Sequence, residues 1–581
     1  MKKILTLVIF IATAIFISLA PKIYANSSDT LVVYANGLSL DQIINSDTTS
    51  SGLHAHSVYK LVSLDTTYLY LGPIASKSSM TIVGVPGSNG RPPCIQPGIL
   101  SNGSVANGLC VVSKAGSRVT FKNIYLFGRT GTNTWFGGAF IKVTSDSTKL
   151  YLDNVIADEC HGGLIIYTGL SDDFFVTNCV FRNSVWPANW TSPAVLRPGY
   201  PTANPVDSVI MDNNTFLCYE SNGIGIGHTV PSNYIEFKHN TMVYNFEFAL
   251  GTDVQYAVNV KIEDNVFYGV YAGGVKYSKY HAYYYQHGFA PVSCVEFDTL
   301  SLVNSKLFDP ADSSNANLKW LAEAKRIAIV RNNDYFQPKA LTDFWTAWND
   351  TSHVDSLITP LWMNPETQNM FNDKTHWPGF EQSSNLDGVD PGFGSSFQSV
   401  LQNNSGTPGV VSLLQFITEV QTGTIKTDEW GYQKQTVTGA YWIPAWPLPE
   451  TSDMQYANAT VKNNSTDGKP LGDPRWYNGG LPTSVQQTLA QLPDKFELYQ
   501  SYPNPFNPST NIKFSLGKDG NVNLSVYNVM GQLVKTIVDN SYMSKGEHEY
   551  NVNMDNFASG IYFYTLRQGS NIITKKMVLL K

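Results

Sequence analysis

Val209-Ile-Met-Asp-Asn-Asn-Thr-Phe216, Ile235-Glu-Phe-Lys-His-Asn-Thr-Met242 and Val260-Lys-Ile-Glu-Asp-Asn-Val-Phe267 are three copies of one phrase. Its form is apolar-x-apolar-x-anchor-x-x-apolar. Four further copies have their anchors at Asn123, Asn154, Asn178 and Asn332. The seven anchors are therefore Asn123, Asn154, Asn178, Asn213, His239, Asp264 and Asn332, spaced 31, 24, 35, 26, 25 and 68 residues apart. Repetition at this scale marks a stack of like units, none of which buries its apolar face alone. The alternation before each anchor predicts a strand with one buried face.

The letter just before the anchor runs Lys122, Asp153, Thr177, Asp212, Lys238, Glu263, Arg331. That position faces water, and its changes of sign suit pairing between stacked strands. Asn dominates the anchor and the residue after it. Asn tolerates the left-handed backbone needed at a corner, and stacked Asn side chains can bond to one another up a column. A second short run follows several anchors: Gly163-Leu-Ile-Ile166, Gly223-Ile-Gly-Ile226, Phe248-Ala-Leu250 and Gly274-Val275. Each repeat thus makes at least two strands around a corner.

On these features, residues 30–470 resemble the right-handed parallel β-helix of the pectate-lyase-like (pectin lyase fold) superfamily. The resemblance rests on architecture, not on a signature motif. A β-sandwich also alternates, but it has no reason to repeat Asn at one corner. Seven coils would build a column roughly 34 Å tall. Leu40-Asp-Gln-Ile-Ile44 suits a short helix capping the first coil, whose core and strand edge would otherwise be open.

The chain has 581 residues, too many for one ordinary core. Its net charge of −7 is scattered, with no basic block, which argues against nucleic acid as a partner. Cys94, Cys110, Cys160, Cys179, Cys218 and Cys294 form no C-x-x-C pair. They read as small buried core residues, with a Cys94–Cys110 disulfide as the alternative.

Four segments follow in order. Residues 1–25 read as a secretory signal: Lys2 and Lys3, an apolar run from Ile4 to Ala20, then Ile23-Tyr-Ala25. No other long apolar stretch follows, so no membrane span is expected in the mature chain. Residues 26–476 are the β-helix. Within it, residues 338–470 look irregular, with Asn364-Pro-Glu-Thr and Val389-Asp-Pro-Gly-Phe393 read as late, degenerate coils. Gly468-Lys-Pro-Leu-Gly-Asp-Pro-Arg-Trp476 resembles a closing segment of exported β-helix proteins. Residues 477–495 are a linker. Residues 496–581 alternate in short strands with Gly531, Gly546 and Gly560 at turns, which predicts a small antiparallel, immunoglobulin-like β-sandwich.

That last segment closely resembles the C-terminal sorting domain of type IX secretion cargo. The matching pieces are Tyr502-Pro-Asn-Pro-Phe-Asn-Pro508, Val526-Tyr-Asn-Val-Met-Gly531, Ser559-Gly-Ile-Tyr-Phe563 and Lys575-Lys-Met-Val-Leu-Leu-Lys581. The resemblance implies handling by the type IX machinery through residues 496–581. The route would cross the periplasm and outer membrane of a Gram-negative bacterium, to the cell surface or the medium.

The β-helix resemblance implies an extracellular polysaccharide as ligand and, if the protein is an enzyme, a polysaccharide lyase. β-Elimination needs a base near the proton and a positive charge against the carboxylate. Ca²⁺ held by Asp or Glu is one source of that charge, Arg or Lys another. Counting 12 to 15 residues past the anchors gives His228, Asp253 and Lys276 on adjacent coils, with Glu247 nearby. Lys276 would serve as base or neutraliser, His228 as acid or base, and Asp253 as its orienting group or a cation ligand. A solvated β face carrying three such residues with no task accounts for the same letters. Asp172-Asp173, the chain's adjacent aspartates, match no hydrolase pattern. Aromatic stacking on sugar rings falls to Tyr277, Tyr280, Tyr283, Tyr284, Trp186 and Trp190. A non-catalytic structural or adhesive surface protein is the alternative.

Overall fold

The computed structural model describes residues 24–580 apart from 28, 36, 63–66, 88–89, 133, 185–193, 200–203, 220–231, 247–253, 255, 277–292, 300–322, 352–355, 403–410, 425–430, 432–435, 439–440, 444–450, 478–495, 502, 517–519, 544–545 and 570. The chain divides into two compact units, Met1–Ser484 and Val485–Lys581.

The first unit is a parallel β-helix. Its long sheet has twelve strands, and the phrase copies supply seven of them. These are Arg118–Lys122, Lys149–Asp153, Asp173–Thr177, Ser208–Asp212, Tyr234–Lys238, Asn259–Glu263 and Ile327–Arg331. They pair in parallel with no slip, so Val119, Leu150, Phe174, Val209, Ile235, Val260 and Ala328 stack in one column. Phe121, Leu152, Val176, Met211, Phe237, Ile262 and Val330 form a second column, and both are buried. A one-residue slip would turn every one of these side chains to water, so the apolar alternation dictates the register.

A corner follows each copy. All seven anchors take a left-handed backbone, with φ between 50° and 60°. The residues after them enter a ten-stranded parallel sheet, and a five-stranded parallel sheet closes the coil. Its strands are Ile74–Ser76, Cys110–Val112, Ile141–Val143, Ile165–Tyr167 and Leu196–Pro198. One coil more than the phrase predicts is present after Asn332. Phe380–Ser383 extends the long sheet, and Ser384, with φ 54°, takes the anchor's place.

The column of side chains after the anchors bonds as a ladder. The Asn214 amide donates to Asn240 (2.9 Å), Asn240 to Asn265 (3.1 Å), Asn265 to Asn333 (2.8 Å) and Asn333 to Asn385 (3.0 Å). Before the anchors, charges pair between coils: Lys122 with Asp153 (2.5 Å) and Arg331 with Glu263 (2.6 Å). Helix Leu40–Ser46 buries Leu40, Ile43 and Ile44 in the core that the first coils share. All six cysteines are buried and none is in a disulfide, so the Cys94–Cys110 bridge is not formed.

Residues 338–470 hold that one late coil, with residues 389–393 following its strand Leu386–Asp387, and helices that the sequence did not suggest. Asn364 caps helix Pro365–Asn372, its side chain accepting from the Thr367 amide. Helices Lys339–Asp350, Ser396–Gln402 and Leu413–Thr422 lie on the outer face of the ten-stranded sheet. Leu341, Trp345 and Trp348 point into one core with Val180, Leu217, Val243, Tyr244 and Tyr268. The spacing i, i+4, i+7 gives that helix its apolar stripe. The outer face of this sheet therefore reads as a continuous apolar run and is not wet.

The second unit has a three-stranded and a four-stranded antiparallel sheet around one core that includes Phe514, Leu524, Tyr564 and Leu579. The opening Pro-rich piece is tied to the last strand, Asn571–Leu579. The Phe506 amide donates to Val578 O (3.0 Å), and Asn504 Oδ1 accepts from the Val578 amide (2.8 Å).

Candidate functional site

Of the sequence-derived candidates, Lys276 has a described backbone. It lies in strand Val275–Lys276, antiparallel to Leu357–Ile358 and opposite Leu357. Its side chain lies outside what the structure describes, as do residues His228, Asp253, Glu247, Tyr277, Tyr280, Tyr283, Tyr284, Trp186 and Trp190. Asp172 and Asp173 serve the frame. Asp173 pairs with Lys149 (2.9 Å), while Asp172 is buried, which pushes its carboxyl up to about 7.

Beside the five-stranded sheet, two neighbouring coils bring together polar groups that the repeat pattern does not flag. Glu159 is fully buried and accepts from Arg129 Nε (2.9 Å) and Nη2 (2.8 Å). His161 Nε2 lies 3.2 Å from the same carboxylate oxygen. Trp135 stacks on the His161 ring at 4.9 Å, with Arg129 at 5.1 Å from the indole. Close contact of the coils depends on Gly162. A Cβ there would lie 2.1 Å from Gly138 O, so only glycine fits.

The outward positions of that sheet align Lys142, Ile166 and Arg197 on successive strands. Arg197 is half-buried. Its Nη2 donates at long range to Gly162 O (3.4 Å), next to His161, and its Nε finds no acceptor among the described residues. No described carboxylate pairs with it, and burial alone lowers its pKa. A partly desolvated guanidinium without a counter-charge is a costly arrangement, met where an anion is to be received. The dense run Asp158-Glu-Cys-His161 was the available signal in the sequence for this region.

A second cluster lies at the corner column. His239 and Asp264 are the two anchors that are not Asn, and they sit on adjacent coils. Asp467, from the closing segment, completes the group. The three offer ligand atoms all within 4.8 Å of one another. His239 Nε2 lies 3.2 Å from both oxygens of Asp467 and 3.6 Å from Asp264 Oδ2. His239 Nδ1 faces Gly472 O at 3.2 Å. Asp264 accepts from the Thr466 amide (2.7 Å) and hydroxyl (2.5 Å). Lys469 lies against Asp467, and together with His239 it holds the Asp467 carboxyl far below its usual range despite partial burial. Calcium prefers six to eight oxygens. This group, with a nitrogen donor and two carboxylates, fits a smaller ion that accepts imidazole.

Residues 500–580 match the family described as Secretion system C-terminal sorting domain. The match lies on the second unit, and the protein is accordingly one that the type IX secretion system of a Gram-negative bacterium delivers to the surface or the medium. No curated protein and no solved structure matches the chain significantly. No helix among the described residues is long and apolar enough to cross a membrane.

Proposed function

We propose that the β-helix engages an acidic extracellular polysaccharide along the outward face of its five-stranded sheet. The observation that carries this reading is Arg197, half-buried on that face with no carboxylate among the described residues. A uronate carboxylate would supply the missing counter-charge by a bidentate contact. Lys142, in the same column two strands away, gives a second positive point for a chain lying along the coils. Lys276, His228 and Asp253, 12 to 15 residues past their own anchors, are the groups that would turn binding into cleavage. Delivery outside the cell puts the protein where such a ligand is met.

Affinity electrophoresis in gels carrying polygalacturonate, alginate or a neutral glucan tests the proposal. Retention should be confined to the acidic gels. Arg197→Ala should weaken it about 10- to 100-fold, the worth of one charge-assisted hydrogen bond, with the thermal midpoint checked to exclude misfolding. Equal retention on the neutral gel, or an unaffected Arg197→Ala, would remove the basis of this reading. Ultraviolet absorbance from unsaturated ends, lost in Lys276→Ala, would add lyase activity to it.

A further inference from the structure

We propose that His239, Asp264 and Asp467 hold a divalent metal ion of the zinc type, which fastens the closing segment to two neighbouring coils. Three observations carry it. The first is the orientation of the imidazole. Nδ1 lies 3.2 Å from the Gly472 carbonyl, so the tautomer that donates there leaves the lone pair of Nε2 facing outward. That lone pair meets the Asp467 carboxylate at 3.2 Å and Asp264 at 3.6 Å. In that tautomer three acceptors face one another, an arrangement that a cation between them would stabilise. A backbone carbonyl behind a histidine is also the usual support for a metal-binding ring.

The second is spacing. Donors about 2.1 Å from a zinc ion stand about 3.0–3.4 Å apart in octahedral or tetrahedral order; the His239–Asp467 separation of 3.2 Å lies in that range, and His239–Asp264, at 3.6 Å, is a few tenths of an ångström wider. His239 and Asp264 are at most 1% exposed, so the ring and one carboxylate are desolvated, while Asp467 closes the group from the solvent side at 30% side-chain exposure.

The third is the repeat itself. Five anchors are Asn, and the two exceptions are metal-ligand types on adjacent coils, beneath Asp467 where the closing segment passes over them. Lys238, at 3.6 Å from Asp264, and Lys469, at 2.9 Å from Asp467, stand at the rim of the group.

The purified full-length protein, stripped with a chelator and dialysed, should take up one Zn²⁺ per chain by calorimetry and elemental analysis. Its thermal midpoint should rise on uptake, and cleavage by a protease within 464–476 should slow. His239→Asn restores the residue that other coils carry at that left-handed corner, so it should fold. It should lose Zn²⁺ uptake and the Zn²⁺-induced shift together. If His239→Asn does not fold, Asp264→Asn serves the same comparison. The proposal fails if the unmodified protein takes up no Zn²⁺, with the ring merely protonated between the carboxylates. It fails equally if His239→Asn binds Zn²⁺ as well as its parent, or if Ca²⁺ binds to both alike.

Discussion

Asp334 is wholly buried, and neither of its carboxylate oxygens meets a donor among the described residues. It stands between Val266 and Leu386 on the flanking strands, with the charges of Asp387 and Asp390 and the Tyr456 ring around it. Burial, reinforced by those two carboxylates, pushes its carboxyl up to about 8. Folded protein therefore keeps this proton over a range in which the unfolded chain, titrating near 3.9, has released it. The stabilisation is complete below pH 4 and is lost as pH rises towards 8, at about 1.4 kcal/mol per pH unit for one group. Asp334→Asn mimics the protonated side chain. Its melting temperature should equal the parent's near pH 4.5 and exceed it increasingly up to pH 8. Parallel curves for the two proteins across that range would show that Asp334 ionises freely in the fold.

At the scale of elements, the Asn ladder explains how corners that each cost a left-handed backbone remain ordered. Asn240 is an inner rung. Its Oδ1 accepts from the backbone and side-chain amides of Asn214, and its Nδ2 donates to Asn265 and to Met211 O. Asn240→Ala leaves several buried partners unmet, at about 1–3 kcal/mol each. Denaturant unfolding should register a loss of about 3–5 kcal/mol, whereas the partly exposed end rung Asn385→Ala should cost much less because water replaces its bonds. Equal losses at the two rungs would mean that the corners are held by packing alone. The alternation, the register and the left-handed anchors were legible in the letters because one period governs strand, corner and stack. The helices of 338–470 were not, since Trp345 and Trp348 sit in sequence dense with Trp and Pro, where helical spacing is hard to see. The Glu159 and Arg197 cluster was hidden for a different reason. Its members fall in the irregular part of each coil, where distance past the anchor varies from copy to copy. The His239–Asp264 pair was visible as two departures from Asn, but it acquires meaning only when Asp467, some two hundred residues on, folds over it.

On the scale of the whole β-helix, that folding-over is what ties distant coils together. A stack of repeats is held by nearest-neighbour contacts and can fray coil by coil. The segment from Asn464 to Trp476 runs back along the corner column and bonds to successive coils. The Asn464 amide donates to Ser384 O (2.7 Å), the Gly472 amide to Asp264 O (2.7 Å) and the Asp473 amide to Thr241 Oγ1 (2.8 Å). Arg475 donates to Asn213 O (2.8 Å) and Cys179 O (3.3 Å). Trp476 is buried at the far end, its Nε1 donating to Thr215 Oγ1 at 2.7 Å, and Thr215 in turn bonds Asp473 at 2.9 Å. Removing the indole should cost about 3–5 kcal/mol, as for other buried aromatic side chains. The location of the damage is the sharper expectation. In Trp476→Ala, hydrogen exchange should accelerate across all the coils from Asn178 to Asp264, and the denaturant slope should fall as unfolding loses cooperativity. Protection lost in the closing segment alone, with the coils exchanging as before, would show that it covers the column without binding the coils into one unit.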